Sequence, residues 1–177
     1  GLLVVLVGAT ILNRGAARRY HAARRVRRDA TGSIRMLESE QAERYRRDGF
    51  LVLEGFRDAA ACEALRARAA AIVDGFDADA RRSVFTTRDQ SRTADAWFLG
   101  SGDAVRCFFE EEAFDAGGRL VVPKALGINK IGHALHDLDP VFDAFSHGAD
   151  LAALAAALGL AAPRIVQSMF IFKQPGI

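Results

Sequence analysis

The sequence predicts an α+β domain in which a helical N-terminal part leads into a sheet, and three observations carry that expectation. Capped, amphipathic helical segments occupy the stretch between Ser39 and Gly75. Short apolar and aromatic runs bounded by turn residues follow, Val105–Phe109 being the clearest of them. The stretch Arg164–Ile177 (RIVQSMFIFKQPGI) then alternates with the two-residue period of a strand. Val166, Phe170 and Phe172 share one face, and Gln167, Met169, Ile171 and Lys173 share the other. A face that mixes an amide, a thioether and an ammonium with one aliphatic reads as the wall of a polar pocket or as a wetted amphipathic face.

Composition sets the bounds. A chain of 177 residues suffices for one domain with a real core, and a hydrophobic content of 50% with 26% charged residues is ordinary globular composition. Cys62 and Cys107 match no metal-ligand spacing and point to a reducing, cytoplasmic setting. The absence of Met at position 1 and an end within a strand read as a fragment at both termini.

Charge divides the chain. Residues 1–35 carry eight arginines against Asp29, whereas the remainder holds 16 basic and 21 acidic side chains. The body is mildly acidic, which argues against a nucleic-acid partner. The apolar run Gly1–Leu12 is shorter than the roughly 20 residues a spanning helix needs. A signal peptide would place its charges before the apolar run, not after it. Residues 1–35 are therefore expected to be a basic leader outside the fold, an upstream read-through in preference to a membrane-anchor remnant. Membrane partners enter only if that run is a real anchor.

From Met36 the punctuation is regular. Ser39 caps a helix over Glu40–Arg47 that Gly49 ends. Phe50–Leu53 reads as a short strand, and Asp58 caps a second helix with Cys62, Leu65, Ala69, Ile72 and Val73 on its apolar stripe. Gly75 stops it. Ser83–Thr87 is a candidate strand and Arg88–Asp95 a polar loop. The triplet Glu110-Glu111-Glu112 reads as a solvated edge, since consecutive carboxylates point in different directions. Leu120–Pro123 suits an edge position because Pro cannot donate to a ladder. Asp150 starts an Ala/Leu-rich helix, Leu151–Leu158, expected to be buried and stopped by Gly159.

Gly127–Pro140 (GINKIGHALHDLDP) carries the sharpest conflict. On a helix, His133, His136 and Asp137 would share one face and could hold a divalent metal. His136-Asp137 also resembles the His-Asp doublet of metal-dependent phosphohydrolases. That family is wholly helical, however, and expects a further His well upstream. Asp139-Pro140 reads instead as the cap and first residue of a helix over Val141–Ser146.

Tyr45–Phe56 (YRRDGFLVLEGF) with Ala61–Leu65, Trp97–Leu99, Ser101–Asp103, Arg106–Glu110, Asn129–His136, Asp139–Phe142 and Gln167–Pro175 resemble, in order, the phytanoyl-CoA dioxygenase family. The resemblance covers nearly all of Met36–Ile177. It implies a double-stranded β-helix (jelly-roll) oxygenase, present as its N-terminal helical part and first strands and truncated before the iron-binding half. The implied cofactors are Fe(II) and, as co-substrate, 2-oxoglutarate. The implied activity is hydroxylation of a small-molecule substrate, with a lipid or an acyl-CoA as the candidates. The family's His-x-Asp…His iron set lies beyond Ile177 on this reading, so no catalytic or metal residue is assigned and the stretch alone is expected to be inactive. Two co-substrate positions carry over, Lys130 of the Ile-Asn-Lys block and Met169 of the Gln-Ser-Met block. An ammonium supplies charge-assisted hydrogen bonds to a dicarboxylate, and a thioether fills an irregular wall. From another class, a non-catalytic β-helix binding module remains the alternative, because a fold does not fix a function.

Overall fold

The computed structural model describes residues 3–7, 39–53, 55–85 and 96–173, the first of these for its backbone alone. The capped helices form as the sequence requires. Helix α1 (Ser39–Asp48) ends at Gly49, whose φ of +79° is the left-handed conformation favouring glycine. Helix α2 (Ala59–Gly75) begins at Asp58, whose carboxylate accepts from the Ala61 amide at 2.8 Å. It buries Leu65, Ala69 and Val73, which are one apolar stripe at helical spacing. Cys62 lies exposed, off the buried part of that stripe.

A single turn, α3 (Ala96–Leu99), precedes strand β2 (Val105–Phe109). After a 3-10 turn at Glu111–Ala113 and the short helix α4 (Lys124–Gly127), strand β3 (Ile128–His133) runs back beside β2. Helices α5 (Leu135–Leu138), α6 (Pro140–Ser146) and α7 (Ala149–Ala157) lead to strand β4 (Ile165–Ile171), antiparallel to β3. Asp139 caps α6 as its place before Pro140 predicts, accepting from the Val141 and Phe142 amides, and its other oxygen binds the Arg68 guanidinium at 2.6 Å. One buried carboxylate thus ties α2 to α6.

With the backbone strand β1 (Leu3–Val7), the four strands lie in the order β1-β4-β3-β2. One expectation falls here. The leader was expected to lie wholly outside the fold, yet β1 pairs in parallel with β4 along the edge. Positions 8–35 lie outside the described residues. Strand β4 is thereby an inner strand: its amides and carbonyls need partners on both sides, and the apolar run supplies one of them.

Other expectations are corrected by the same bookkeeping of partners. Phe50–Leu53 is not a strand; it has no ladder among the described residues, and Phe50 and Val52 stay exposed. Of the candidate strand Ser83–Thr87, Val84 makes a single bridge to Phe109, and 86–95 lie outside the described residues. Leu120 likewise makes one bridge, to Phe114. Helix α7 buries only Ala155, because a single face of it meets the domain.

Register assigns the two faces of the sheet. Cys107, Ile131 and Phe170 stand opposite one another across β2, β3 and β4, and pack with Phe109 and Ile128 against Leu65, Ala69, Val73, Leu135 and Phe142. That face is the hydrophobic core. Val166, assigned by alternation to the same side as Phe170, is 65% exposed because it precedes the stretch of β4 that β3 covers.

Candidate functional site

The opposite face of the sheet carries the polar side chains Lys130 and Arg106. Lys130 stands across from Phe108 on one side and Ile171 on the other, while Gly132 stands across from Arg106 and Met169. Directly opposed residues share a face, so Phe108, Arg106, Lys130, Met169 and Ile171 all project to this side. Lys130 and Met169 are diagonal neighbours on adjacent strands, a relation that spans roughly 7–8 Å. Gly132 makes room between them: a Cβ there would sit 3.3 Å from Met169 Cγ and 3.6 Å from the Ser168 carbonyl oxygen.

Lys130 is only 4% exposed. Its Nζ lies 3.2 Å from the centroid of the Phe85 ring, 5.2 Å from that of Phe98 and 5.6 Å from that of Phe108. Aromatic faces attract a cation, and they substitute only partly for its lost hydration. Among the described residues no carboxylate pairs with it. Burial accordingly pushes its pKa down to about 8. The second cation of this face is already engaged: Arg106 lies over the Trp97 ring at 4.3 Å and donates to the Trp97 carbonyl at 2.5 Å.

His133, at the end of β3, packs against the same rings as Lys130, its centroid 5.4 Å from both Phe98 and Phe108. Its Nδ1 meets Ser101 Oγ at 2.7 Å, and its Nε2 is buried with no hydrogen-bond partner. Burial, and then the nearby Lys130 charge, lower its pKa to about 4, so the ring is neutral at pH 7.

The three-residue cluster that helical spacing suggested does not form. His133 ends a strand, and only His136 and Asp137 belong to the short helix α5. The histidines take different partners, because His136 Nδ1 binds Ser168 Oγ at 2.8 Å and its backbone amide donates to the same oxygen at 2.9 Å. No group of three or more potential metal ligands occurs among the described residues. The Glu110-Glu111-Glu112 triplet turns through a 3-10 segment and contributes to no such group. These residues therefore do not fit an iron ion. None of the four histidines is followed two positions later by an aspartate.

A cleft of about 430 Å³ lies elsewhere, between α6, α7 and the start of β4, lined in part by Ser146, His147, Leu151 and Arg164. Neither Lys130 nor Met169 lines it. No helix among the described residues is long and apolar enough to cross a membrane.

Sequence reasoning placed Lys130 and Met169 at a site, and the register brings them to one face. It missed the cage of Phe85, Phe98 and Phe108 and the Ser101–His133 pair. The aromatic richness of Val105–Phe109 was the available signal for Phe108. No local pattern marks Phe85 or Phe98 as neighbours of a lysine far away in the chain.

Comparison with known proteins identifies the family. The family model for phytanoyl-CoA dioxygenase matches residues 45–177. The chain is 46% identical over 144 residues to phytanoyl-CoA dioxygenase domain-containing protein 1 of Bos taurus, covering 78% of this chain and 50% of that protein. It is 45% identical over 141 residues to phytanoyl-CoA dioxygenase 1 of Oryza sativa subsp. japonica, covering 80% and 50%. Phytanoyl-CoA dioxygenase of Arabidopsis thaliana is 42% identical over 147 residues, with 83% and 50% covered. The chain spans about half the length of the curated relatives it matches. On this evidence the chain belongs to the phytanoyl-CoA dioxygenase family.

Proposed function

We propose that the protein is an Fe(II)- and 2-oxoglutarate-dependent dioxygenase that hydroxylates a small organic substrate, and that residues 1–177 supply part of its co-substrate pocket and none of its iron ligands. The observation that carries this reading is the buried Lys130 ammonium, caged by rings and without a carboxylate among the described residues, on one face with Met169 in a chain of this family. A buried cation left in that condition is costly, and a bound dicarboxylate relieves the cost. Lys130 would hold one carboxylate of 2-oxoglutarate through charge-assisted hydrogen bonds. Met169, across from Gly132, would pack along the chain of the keto acid. The aromatic rings would keep water away from both.

Iron, when bound, supplies the oxidising chemistry, and its ligands would come from sequence other than these residues. Residues 1–177 alone would bind no stoichiometric Fe(II) and consume no 2-oxoglutarate. The primary substrate would be a lipid or an acyl-CoA, as the names of the relatives suggest.

The test compares the full-length protein with its Lys130→Met variant. Loss of one charge-assisted hydrogen bond costs roughly 1.5–3 kcal/mol, so 2-oxoglutarate affinity is expected to fall about ten- to a hundredfold. Iron content is expected to stay constant. Unchanged 2-oxoglutarate affinity in a folded Lys130→Met protein would overturn the assignment. A full-length protein that retains no iron under reducing conditions would leave the chain as a binding scaffold.

A further inference from the structure

The histidine beside Lys130 has a tautomer that its neighbours dictate. Ser101 is 1% exposed, and its Oγ lies 2.5 Å from the Phe98 carbonyl oxygen and 2.7 Å from His133 Nδ1. A hydroxyl has one proton, and two oxygens at 2.5 Å require it between them. Ser101 therefore donates to Phe98, and its oxygen accepts from Nδ1–H of His133. The neutral ring consequently carries its lone pair on Nε2, the buried atom that no protein donor reaches. A buried acceptor without a donor is as costly as a broken hydrogen bond. The Lys130 ammonium packs against the same Phe98 and Phe108 rings.

We propose that His133 is a positioning residue for Lys130: Ser101 and the Phe98 carbonyl lock the imidazole so that its Nε2 lone pair serves the Lys130 ammonium as an acceptor through one water. The role of Lys130 toward 2-oxoglutarate on which this rests is the reading given above. The arrangement explains why the ring is held neutral. A protonated His133 would set two like charges in one apolar chamber, and the Lys130 charge is one of the two causes that depress its pKa. Among the described residues no carboxylate hydrogen-bonds to either side chain, and the imidazole packs on two of the rings that cage the ammonium. The device also separates two jobs. An acceptor at this position disfavours a carboxylate oxygen at the same spot, and so leaves the free N–H groups of Lys130 to point at the anion.

The experiment reads Lys130 itself, before any co-substrate is added. Site-specific acylation of the Lys130 amine in the full-length protein is followed by mass spectrometry across pH, which gives its apparent pKa. The variants are His133→Phe, His133→Gln, His133→Asn and Ser101→Ala. With the lone pair removed, His133→Phe is expected to lower the Lys130 pKa by about one unit, a roughly tenfold rise in free amine at pH values well below the pKa. His133→Gln, whose amide oxygen reaches the place of Nε2, restores the wild-type titration, and His133→Asn, which reaches only the place of Nδ1, does not. Ser101→Ala removes one oxygen, frees the tautomer and shifts Lys130 in the same direction by less; it carries the test where His133→Phe does not fold. Loss of packing alone would move all four variants alike. A Lys130 titration unchanged in Ser101→Ala and in whichever His133 variants fold would overturn the proposal, as would failure of His133→Gln to differ from His133→Asn. Because no 2-oxoglutarate is present, this outcome is independent of the one that tests Lys130 as a co-substrate ligand. A 2-oxoglutarate affinity unchanged in Lys130→Met, with the titration shifts intact, would sink the functional reading and leave His133 as the partner of Lys130.

Discussion

The two faces of the sheet are built from the same three strands and are both buried, yet their polar accounts differ. On the helix-covered face Cys107, Ile131 and Phe170 meet the apolar stripe of α2 and the side chains Leu135 and Phe142. The polar groups at its margin, Asp139 and His136, find partners in Arg68, helix amides and Ser168. On the other face an ammonium is held by aromatic rings, and at the end of β3 an imidazole that packs on two of those rings has a nitrogen with no donor. The difference teaches where the molecule carries its cost. Asp139 and His136 are satisfied beside the core, the closed face, whereas Lys130, on the open face, and His133 Nε2 are not; off the sheet, Arg57 Nε and Ser146 Oγ are also buried without a partner.

The largest expected effect lies on the closed face. Phe142 is fully buried and stands edge-to-face with Phe170 at 6.1 Å. Phe142→Ala is expected to cost about 3–5 kcal/mol of unfolding free energy, through lost transfer and a residual cavity. Urea titration measures it. If 2-oxoglutarate affinity in the full-length protein also fell at temperatures where the variant remains folded, the two faces would not be separable in this way.

Lys130→Met reverses the pattern, with a large effect on ligand and the opposite sign on stability. The folded-state pKa of Lys130, about 8, lies below the unfolded value of roughly 10.4. Between those values the unfolded chain binds more protons, so wild-type stability rises as pH climbs from about 8 toward 10.4. The variant removes that slope and, at pH 7, removes the cost of a desolvated ammonium. Its stability at pH 7 is expected to equal or exceed wild type. A Lys130→Met protein markedly less stable than wild type at pH 7 would mean that the rings compensate the charge fully.

His133 gives the acid-side counterpart. Its folded pKa of about 4 is below the ordinary histidine value of roughly 6.5, so the unfolded chain takes up the proton first on acidification. Stability should decline as pH falls from about 6.5 to about 4 and level off for this group below that. In His133→Gln that part of the pH dependence should disappear, which a series of urea titrations across the range would show.

How legible all this was in the sequence depends on the range of the interactions. Caps are local, so Asp58, Asp139 and Gly49 announced their helices correctly. Alternation is local too, and it put Met169 on the face away from Phe170. Strand β3 was obscured because nearly every residue of Ile128–His133 is buried, on both faces, which hides the period of two. The spacing of His133, His136 and Asp137 then imitated a helix across a strand end and a separate turn. The cage around Lys130 draws on Phe85, Phe98 and Phe108, which only strand pairing and the return of the chain bring together. The pairing of Leu3–Val7 with β4 was hidden for the same reason, since parallel pairing leaves no trace in the spacing of either segment.

Asp139 tests the margin between the faces. It caps α6 and binds Arg68, a side chain 42% exposed, so the cap is expected to outweigh the screened ion pair. Asp139→Ala should cost about 0.5–2 kcal/mol for the lost cap, and somewhat more for the buried amides it leaves unpaired. Asp139→Asn keeps an acceptor for those amides and should recover most of the loss. Equal destabilisation by both, measured by thermal melting at low and high salt, would shift the weight to the ion pair instead.

The smallest expected effect sits where the open face is tightest. A Cβ at position 132 would approach Met169 Cγ to 3.3 Å, so Met169 must give way by a few tenths of an ångström. Methionine is unbranched and adapts its rotamers readily, which keeps the cost of crowding low. Gly132→Ala is therefore expected to change unfolding free energy by less than about 1 kcal/mol, since a mild overpacking is offset by the lower chain entropy of alanine. Its ligand effect should nevertheless be measurable. Met169 is the diagonal neighbour of Lys130, and a shifted thioether narrows the space along which a keto acid would lie. A few-fold loss of 2-oxoglutarate affinity with unchanged melting temperature would show that the open face can be disturbed without touching the closed one. A drop in stability comparable to that of Phe142→Ala, with affinity unaltered, would show instead that the backbone at Gly132 supports the core and that Met169 stands apart from the ligand.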